Sequence, residues 1–370
     1  MLVKRETPQI SEYKVLIHEH SIEKASNYLL QLRNGEVKAG EFLIQSLGSR
    51  DLNGVSLEDF LHCLVNTKHT QIFAESSVFG DGTDWNQLEL SILGDISISV
   101  PVSVYDNALH YFPDVYDSPI SATLVYTPGA LLENGTDNPP VDWQEVTCEK
   151  KINYLAYLNL YERRLLPCLL HIAEDSRSKG KKALITVPGL GCGQFAGKFK
   201  GSLGGLLQRV LHDIILKHSS VLGNIRAVYY DPFSECENQR LEINGISLLV
   251  RPLLKGNGNR PQLCEPSVYQ DEDDDFSDCS LYSLVAWDHV SWPGNDFYIG
   301  SRATDDGVKA AATDSMFKLT GVEGEYSINT NTYEPPANFK NWAEVVLDKK
   351  LSIVLSGNLN IYTFETFKNY

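Results

Sequence analysis

Between residues 121 and 230, short apolar runs alternate with stretches of helical periodicity. The runs at 121–126, 183–187 and 225–230 are of strand length and almost uninterrupted, which is typical of strands buried on both faces of a sheet. The stretches at 151–175 and 203–217 place apolar residues on one helical face. Strands that alternate with helices in this way predict an α/β fold with a parallel sheet.

Three further strands are predicted at 92–105, 246–250 and 281–287, because these segments are rich in β-branched and other apolar residues. The segment 304–319 has helical spacing and is followed by Gly321, which predicts one helix with a glycine after its last turn. These elements extend the α/β region towards the end of the chain.

The first 90 residues have a different pattern, with amphipathic helical spacing at 21–32 and 56–65. We therefore predict two domains, a mainly helical N-terminal region over 1–90 and an α/β domain over 91–370. Within the second domain, residues 255–280 contain several glycines and asparagines and a run of five acidic residues. This composition predicts a solvated acidic loop.

Composition excludes several classes of protein. No apolar run reaches the length of about 18 residues that a membrane span requires, and the N-terminus lacks the apolar segment of a classical secretory signal, which leaves other export routes open. Seven scattered cysteines without a CxxC pair indicate a reducing, cytoplasmic-type compartment rather than disulfides or a zinc finger. A net charge of −16 argues against nucleic acid and favours basic protein partners.

A glycine-rich segment follows the predicted strand 183–187 and precedes a predicted helix. Its glycines are Gly189, Gly191, Gly193 and Gly197. Such a loop can aim successive backbone amides at an anion, and it matches neither the Walker A pattern nor the dinucleotide-binding fingerprint. A tight strand-to-helix turn without a ligand is the alternative. Cys192 within the loop is either a nucleophile activated by a helix N-terminus or, as we favour, a small buried residue.

Carboxylates cluster after the predicted strand 281–287. Asp288 ends the strand, Asn295 and Asp296 follow a Pro-Gly turn, and Asp306 begins a predicted helix. Since the carboxyl ends of parallel strands share one edge of a sheet, the loops after strands 121–126, 183–187 and 281–287 should converge there. Carboxylates at that edge can accept ribose hydroxyls or serve as acid and base. Structural alternatives are a turn anchored by Asp288, a helix cap by Thr304 or Asp305, and a packed His289.

The segment from helix 151–175 through the glycine loop resembles macrodomains, especially the poly(ADP-ribose) glycohydrolase-like branch. There a Gly-Cys-Gly-x-Phe segment follows a buried strand, and the preceding helix carries Tyr and Arg, here Tyr161 and Arg164. The resemblance implies a three-layer α/β/α fold with a mixed, largely parallel sheet, and an ADP-ribose diphosphate held by the glycine loop with Phe195 near the distal ribose. The ligand-binding residues it implies, together with neighbouring loop positions, are Gly189, Gly191, Cys192, Gly193, Gln194, Phe195, Ala196, Gly197, Thr127, Gly129 and Asn295.

The spacing of Asp288, Asp296 and Asp306 resembles that of bacterial effector macrodomains that remove ADP-ribose from an arginine of ubiquitin. This implies a hydrolase with these three catalytic acids, without a cofactor or metal, whose partners are ADP-ribose and a modified protein such as ubiquitin. It also implies an effector that is secreted into a host cytosol. The first ligand loop of macrodomains is usually rich in Asn and Gly, whereas here it begins Thr127-Pro128-Gly129.

Three other functions remain open at this point. A reader module would bind ADP-ribose without cleaving it. A metal-dependent ADP-ribosylhydrolase would hold magnesium on Asp305, Asp306 and Asp314, although the all-helical fold of such enzymes does not suit the predicted strands. A protein-interaction effector would use the glycine loop only as a turn.

Overall fold

The chain folds around one large mixed sheet in a computed structural model that describes residues 12–72, 84–136 and 138–363. Within these residues the sheet has nine strands. In order across the sheet they are β13 (Leu359–Tyr362), β1 (Lys14–His18), β2 (Ser97–Asp106), β3 (Val115–Pro128), β10 (Cys279–Trp287), β6 (Lys182–Pro188), β7 (Ile225–Asp231), β9 (Ile246–Val250) and β8 (Gln239–Ile243). The small pairs β4 (Thr147–Cys148) with β5 (Lys151–Ile152) and β11 (Glu325–Ser327) with β12 (Thr332–Glu334) lie outside it.

Strands β3, β10, β6, β7 and β9 run parallel to one another, whereas β2 and β8 are antiparallel to their neighbours in this group. The helices of the described residues are α1 (Glu19–Arg33), α2 (Glu41–Leu47), α3 (Leu57–Val65), α4 (Gln87–Leu93), α5 (Trp143–Val146), α6 (Tyr154–Ser178), α7 (Leu203–His218), α8 (Asp305–Ala311), α9 (Ser315–Thr320) and α10 (Trp342–Lys349). None of these helices combines the length and apolarity needed to cross a membrane.

Two hydrophobic cores lie on opposite faces of the sheet. Along β3, Leu124 and Tyr126 contribute to one core and Val125 to the other, as the alternation of a strand requires. Helices α6 and α7 cover the face of Val125, and the N-terminal helices together with α8 to α10 cover the opposite face. The predicted three-layer α/β/α fold with a mixed, largely parallel sheet is confirmed.

The helices predicted at 21–32 and 56–65 correspond to α1 and α3. An unpredicted strand, β1, precedes them and pairs with both β2 and β13. Its residues Val15 and Ile17 enter one core while Leu16 enters the other, so this strand is buried on both faces. The N-terminal region thus contributes to the central sheet, and the domain boundary near residue 90 stays a prediction.

The predicted single helix at 304–319 is wrong, because the chain forms α8 and α9 with a break between them. At the break, Asp314 donates its backbone N–H to the carbonyl of Ser103 (3.2 Å), and its carboxylate accepts the N–H of Ser103 (2.7 Å). These bonds dock the break onto β2 and use backbone groups that a continuous helix would have paired internally.

The acidic stretch within 255–280 is solvated only in part, since three of its five acids are exposed and two are paired with arginines. Asp274 is buried and accepts two hydrogen bonds from Arg240 (2.8 and 2.9 Å). Asp271 pairs with Arg251 (2.5 Å) and Arg260 (3.1 Å). Two of the five acids therefore hold the segment against the outer strands instead of facing water.

Candidate active site

Three loops meet at the carboxyl edge of the parallel strands. The register places Trp287 at the end of β10 beside Pro128 at the end of β3, and β6, which ends at Pro188, flanks β10 on its other side. The backbone N–H of Gly129 donates to the carbonyl of Trp287 (3.4 Å), which joins the first and third loops directly. The predicted convergence of the three loops is confirmed.

Helix α6 holds the first two loops together through Tyr161. Its hydroxyl donates to the carbonyl of Leu190 in the glycine loop (2.7 Å) and accepts the N–H of Ala130 in the loop after β3 (3.0 Å). The side chain is fully buried. Tyr161 therefore acts as a bridge between two loops rather than as a surface that faces a ligand.

Arg164, one turn further along α6, is a second bridge. Its guanidinium donates to the carbonyl of Gly129 (2.8 Å) and to both carboxylate oxygens of Asp142 (2.8 and 3.0 Å), and it lies 3.3 Å from Asp95. Despite burial, the charges of Lys24, Arg163 and Arg164 hold the pKa of Asp95 well below its usual range, and the charge of Arg164 does the same for the pKa of Asp142. Because Arg164 and both carboxylates are buried, removal of Arg164 would cost about 3–5 kcal/mol of stability.

Two glycines allow the first loop and the glycine loop to touch. A Cβ on Gly129 would lie 2.3 Å from the backbone nitrogen of Gly191. Gly191 itself has φ of 70°, and a Cβ there would lie 2.8 Å from the nitrogen of Ala130. Thr127, also predicted to bind ligand, has its hydroxyl buried 3.4 Å from the sulfur of Cys168 on α6. Of these positions, the glycines shape the site and Thr127 faces the core.

The glycine loop presents three successive amides that are free to bind an anion. Within the described residues, the N–H groups of Gly193, Gln194 and Phe195 donate to no protein acceptor. Gly193 faces open space, since a Cβ there would meet no atom within 4 Å. Gln194 and Phe195 begin a 3₁₀ helix, Gln194–Phe199, whose first amides lack internal partners. Unpaired amides in succession can bind an anion, and the diphosphate site at this loop stays a prediction.

The long helix that follows the glycine loop has an anionic partner of its own. Helix α7 begins at Leu203, beyond the 3₁₀ helix. Near its start, the N–H groups of Gly201 and Gly204 donate to the carboxylate of Glu235 (3.2 and 2.7 Å). The protein itself thus supplies the anion at that helix N-terminus.

The remaining loop residues have mainly structural contacts. Cys192 is buried, its thiol points at the carbonyl of Leu190 (3.6 Å), and burial raises its pKa far above the usual value. A reactive cysteine needs the opposite shift, so the alternative of a nucleophile is not supported. Phe195 packs partly buried against the core, and Ala196 is fully buried. Gly197 has φ of 50° and lies against Glu133.

In the third loop, the carboxylate of Asp288 is occupied by a turn. It accepts the N–H groups of Val290 and Ser291 (both 2.7 Å) and the hydroxyl of Ser291 (2.5 Å). This matches the alternative in which Asp288 only anchors the chain. His289 is buried 3.4 Å from Asp142, so it is packed rather than exposed to a substrate.

Asp296 and Asp306 lie together at the start of α8 with Thr304 between them. Asp296 accepts the N–H groups of Ala303 and Thr304 (both 3.1 Å), and Asp306 accepts the N–H of Asn295 (3.0 Å). The Thr304 hydroxyl lies 2.8 Å from Asp296 and 2.5 Å from Asp306. Burial, and then the charge of Asp296, raise the pKa of Asp306 well above its usual value.

A single hydroxyl hydrogen cannot satisfy both carboxylates. The contacts are consistent if Asp306 is protonated and donates to the Thr304 oxygen, while Thr304 donates to an anionic Asp296. Gly307 completes the arrangement, because a Cβ at that position would overlap the carboxylate of Asp296. The site therefore places a carboxyl group of raised pKa in contact, through one hydroxyl, with a second carboxyl group, an arrangement suited to acid–base chemistry.

The N-terminal region supports the third loop in a way that the sequence did not predict. Lys68 is buried, donates to the carbonyl of His289 (2.7 Å) and lies over the ring of Trp287 (4.1 Å to its centroid). Burial lowers its pKa to about 7. The side chain of Asn295, a predicted ligand residue, exchanges two hydrogen bonds with the backbone of Ile72 (3.0 and 2.6 Å). Its amide is thus engaged in holding the loop.

Lys309 is a further charged group at this edge that sequence reasoning missed. It is buried and donates to the carbonyl of Leu284 (2.7 Å), to Gln262 (2.7 Å) and to Asp305 (3.1 Å). Asp305 also accepts the N–H of Ala286 (2.8 Å). The i,i+4 spacing of Asp305 and Lys309 was the available signal, but such pairs usually lie on a solvated helix face.

The acids proposed for magnesium do not form a common site. Asp305 pairs with Lys309, Asp306 with Thr304, and Asp314 with the backbone of Ser103. Among the described residues, no group of three or more His, Cys, Asp or Glu side chains is placed to hold a metal ion.

Comparison with known proteins gives one family match. The model of the family described as macrodomain effector MavL matches residues 13–339 of the chain. The match includes all three converging loops and most of the N-terminal region. No curated protein matches the chain.

Proposed function

The chain belongs to the MavL macrodomain effector family, and from this premise we propose that it is a hydrolase that removes ADP-ribose from an arginine of a modified protein. The acceptor proposed is ubiquitin, in the cytosol of a host into which the effector is secreted. The observation that carries the proposal is that the unpaired amides of Gly193 to Phe195 and the pair Asp296 and Asp306 lie in the loops that follow the neighbouring parallel strands β6 and β10.

The diphosphate of ADP-ribose would lie on the amides of Gly193, Gln194 and Phe195. Backbone amides suit this task in a protein of net charge −16, because they bind an anion without a lysine or arginine in the site. The missing side chain of Gly193 leaves room for close approach. Gly129 and Gly191 would contribute indirectly, by keeping the two loops in contact.

The bond to be broken joins the ribose anomeric carbon to a guanidine nitrogen. Its cleavage builds positive charge on the sugar, which the anionic Asp296 would stabilise. Asp296 would also take a proton from the attacking water and pass it to the leaving guanidine. The hydroxyl of water then stays on the ribose, and its proton stays on the arginine. Asp306, neutral and buried, would hold the hydroxyl of Thr304 and so orient Asp296, and Asp288 would shape the loop.

One observation favours a non-catalytic reader as second candidate. All three aspartates accept hydrogen bonds from their own loops, as purely structural carboxylates do. A reader would bind ADP-ribose with the same amides but would release none from a modified protein.

The test is incubation with arginine-ADP-ribosylated ubiquitin followed by measurement of its intact mass. We expect wild type to restore the unmodified mass and Asp296→Asn to lose activity by about a hundredfold or more, the usual effect of losing an acid–base group. Asp348→Asn, at an exposed position near the end of α10, is the matched control and should be fully active. An unchanged substrate mass with wild type, together with tight ADP-ribose binding, would favour the reader. Full activity of Asp296→Asn would refute the site assignment.

A further inference from the structure

The connection between β2 and β3 presents two large aromatic side chains to solvent. Tyr111 is 83% exposed and Phe112 is 94% exposed. Phe112 also has φ of 51°, a left-handed conformation that a bulky residue rarely adopts. Adjacent exposed aromatics are typical of protein interfaces, where such residues are enriched as anchors.

The base of this hairpin is well ordered by its own hydrogen bonds. The backbone N–H of Asn107 donates to the carbonyl of Asp114 (3.1 Å). The side-chain amide of Asn107 donates to the carboxylate of Asp114 (2.9 Å), and its oxygen accepts the backbone N–H of Asp114 (3.2 Å). The N–H of Ala108 donates to Asp106 (2.8 Å). A hairpin closed in this way holds the aromatic tip out from the sheet and limits the entropy lost when a partner binds.

Arg302 connects the hairpin to the candidate active site. It lies two residues before Thr304, which bridges Asp296 and Asp306. Its guanidinium donates to the carboxylate of Asp106 (3.3 Å) and to the carbonyl of Leu109 (3.0 Å). The base of the hairpin is therefore joined by Arg302 to the chain segment that leads into the acid pair.

The charge around the tip indicates the chemistry of its partner. Residues 107–117, which form the hairpin and its return into β3, contain two acidic residues and no Lys or Arg, in a chain of net charge −16. Asp114 and Asp117 beside the tip are exposed. Such a surface repels acidic proteins, including a second copy of this chain, and attracts basic ones.

We propose that residues 107–114 form a docking element for a basic acceptor protein, with Tyr111 and Phe112 as its anchors. The inference rests on the proposed function, because it concerns the protein that carries the ADP-ribose. The ADP-ribose group would bind at the candidate active site while the acceptor surface contacts the tip. Protein substrates would thus be distinguished from small ADP-ribosylated molecules by this hairpin.

The test compares wild type with the double variant Tyr111→Ser/Phe112→Ser and with Leu347→Ser, a matched change of an exposed apolar residue on α10 (80% exposed). The substrates are an arginine-ADP-ribosylated linker histone, as a basic acceptor, and free ADP-ribosyl-arginine. For the histone we expect the double variant to raise KM about tenfold or more, as loss of aromatic anchors does, with kcat unchanged. For ADP-ribosyl-arginine, all three proteins should have equal KM and kcat.

Binding of unmodified linker histone, measured by fluorescence anisotropy, keeps the test independent of catalysis. If wild type cleaves neither these substrates nor arginine-ADP-ribosylated ubiquitin, the proposed function fails, and the anisotropy alone decides the docking inference. Equal histone affinity of wild type and the double variant would overturn it. A wild-type dimer in sedimentation that the double variant abolishes would also overturn it, since the tip would then bind a second copy of the chain.

Discussion

Thr304 makes the proton on Asp306 a structural feature of the site. Its hydroxyl lies within hydrogen-bond distance of two carboxyl groups, and both contacts can be hydrogen bonds only if one of these groups is protonated. Burial, and then the charge of Asp296, raise the pKa of Asp306, which assigns the proton to Asp306. The sequence predicted that Asp296 and Asp306 lie at the same edge of the sheet. It did not predict which groups donate hydrogen bonds to each carboxylate, because that depends on where the backbone of residues 295–304 places each N–H group.

The ionisation of Asp306 gives a prediction about stability. Its pKa is raised in the folded protein, first by burial and then by Asp296, so its stabilising contribution is complete below the unfolded pKa and is lost as pH rises. Asp306→Asn keeps both hydrogen bonds without a charge. The difference in Tm, variant minus wild type, should therefore become more positive by about 2 °C or more between about pH 5 and pH 8, because only wild type loses stability as pH rises. Thermal unfolding at several pH values checks this, and a difference that does not change with pH would contradict it.

At the scale of elements, α6 positions two loops through side chains that contact no ligand. Tyr161 and Arg164 were predicted from the resemblance to macrodomains as part of the motif, and the structure gives their physical role as bridges. The break between α8 and α9 was not predictable, because it depends on hydrogen bonds to Ser103 on a strand about 200 residues earlier in the chain. Periodicity reports the exposure of a helix face, whereas such a break depends on tertiary contacts.

The contact between the first loop and the glycine loop is sensitive to one added methyl group. Gly129→Ala would place a Cβ 2.3 Å from the backbone nitrogen of Gly191. We expect a loss of about 1–3 kcal/mol in the free energy of unfolding, as for overpacking elsewhere, and weaker ADP-ribose binding because the amides shift. Urea denaturation measures the first effect.

Gly205→Ala on α7 is the control for this substitution, because a Cβ there meets no atom within 4 Å. It should keep or slightly raise stability, since alanine favours a helix over glycine. Equal stability of Gly129→Ala and wild type would show that the two loops can separate without cost.

At the scale of the whole molecule, the α/β architecture and the macrodomain resemblance were predictable and are confirmed. Buried parallel strands have continuous apolar runs, which are visible in a single sequence. The pairing of β1 with β13 joins residues more than 300 positions apart, and no local pattern encodes such a contact. For the same reason, the support of the third loop by Lys68 and Ile72 could not be foreseen.

The central claim is that the free amides of the glycine loop bind ADP-ribose. The most direct measurement is calorimetric titration with ADP-ribose of wild type, Gln194→Pro and Gln194→Ala. Gln194 is the first residue of its 3₁₀ helix, a position that tolerates proline, so Gln194→Pro removes one N–H and Gln194→Ala only the side chain. We predict that wild type binds one ADP-ribose per chain. Gln194→Pro should weaken the affinity about tenfold or more, as expected for a lost hydrogen bond to a charged group, whereas Gln194→Ala should retain it. Absence of binding by wild type, or equal affinity of all three proteins, would contradict the account.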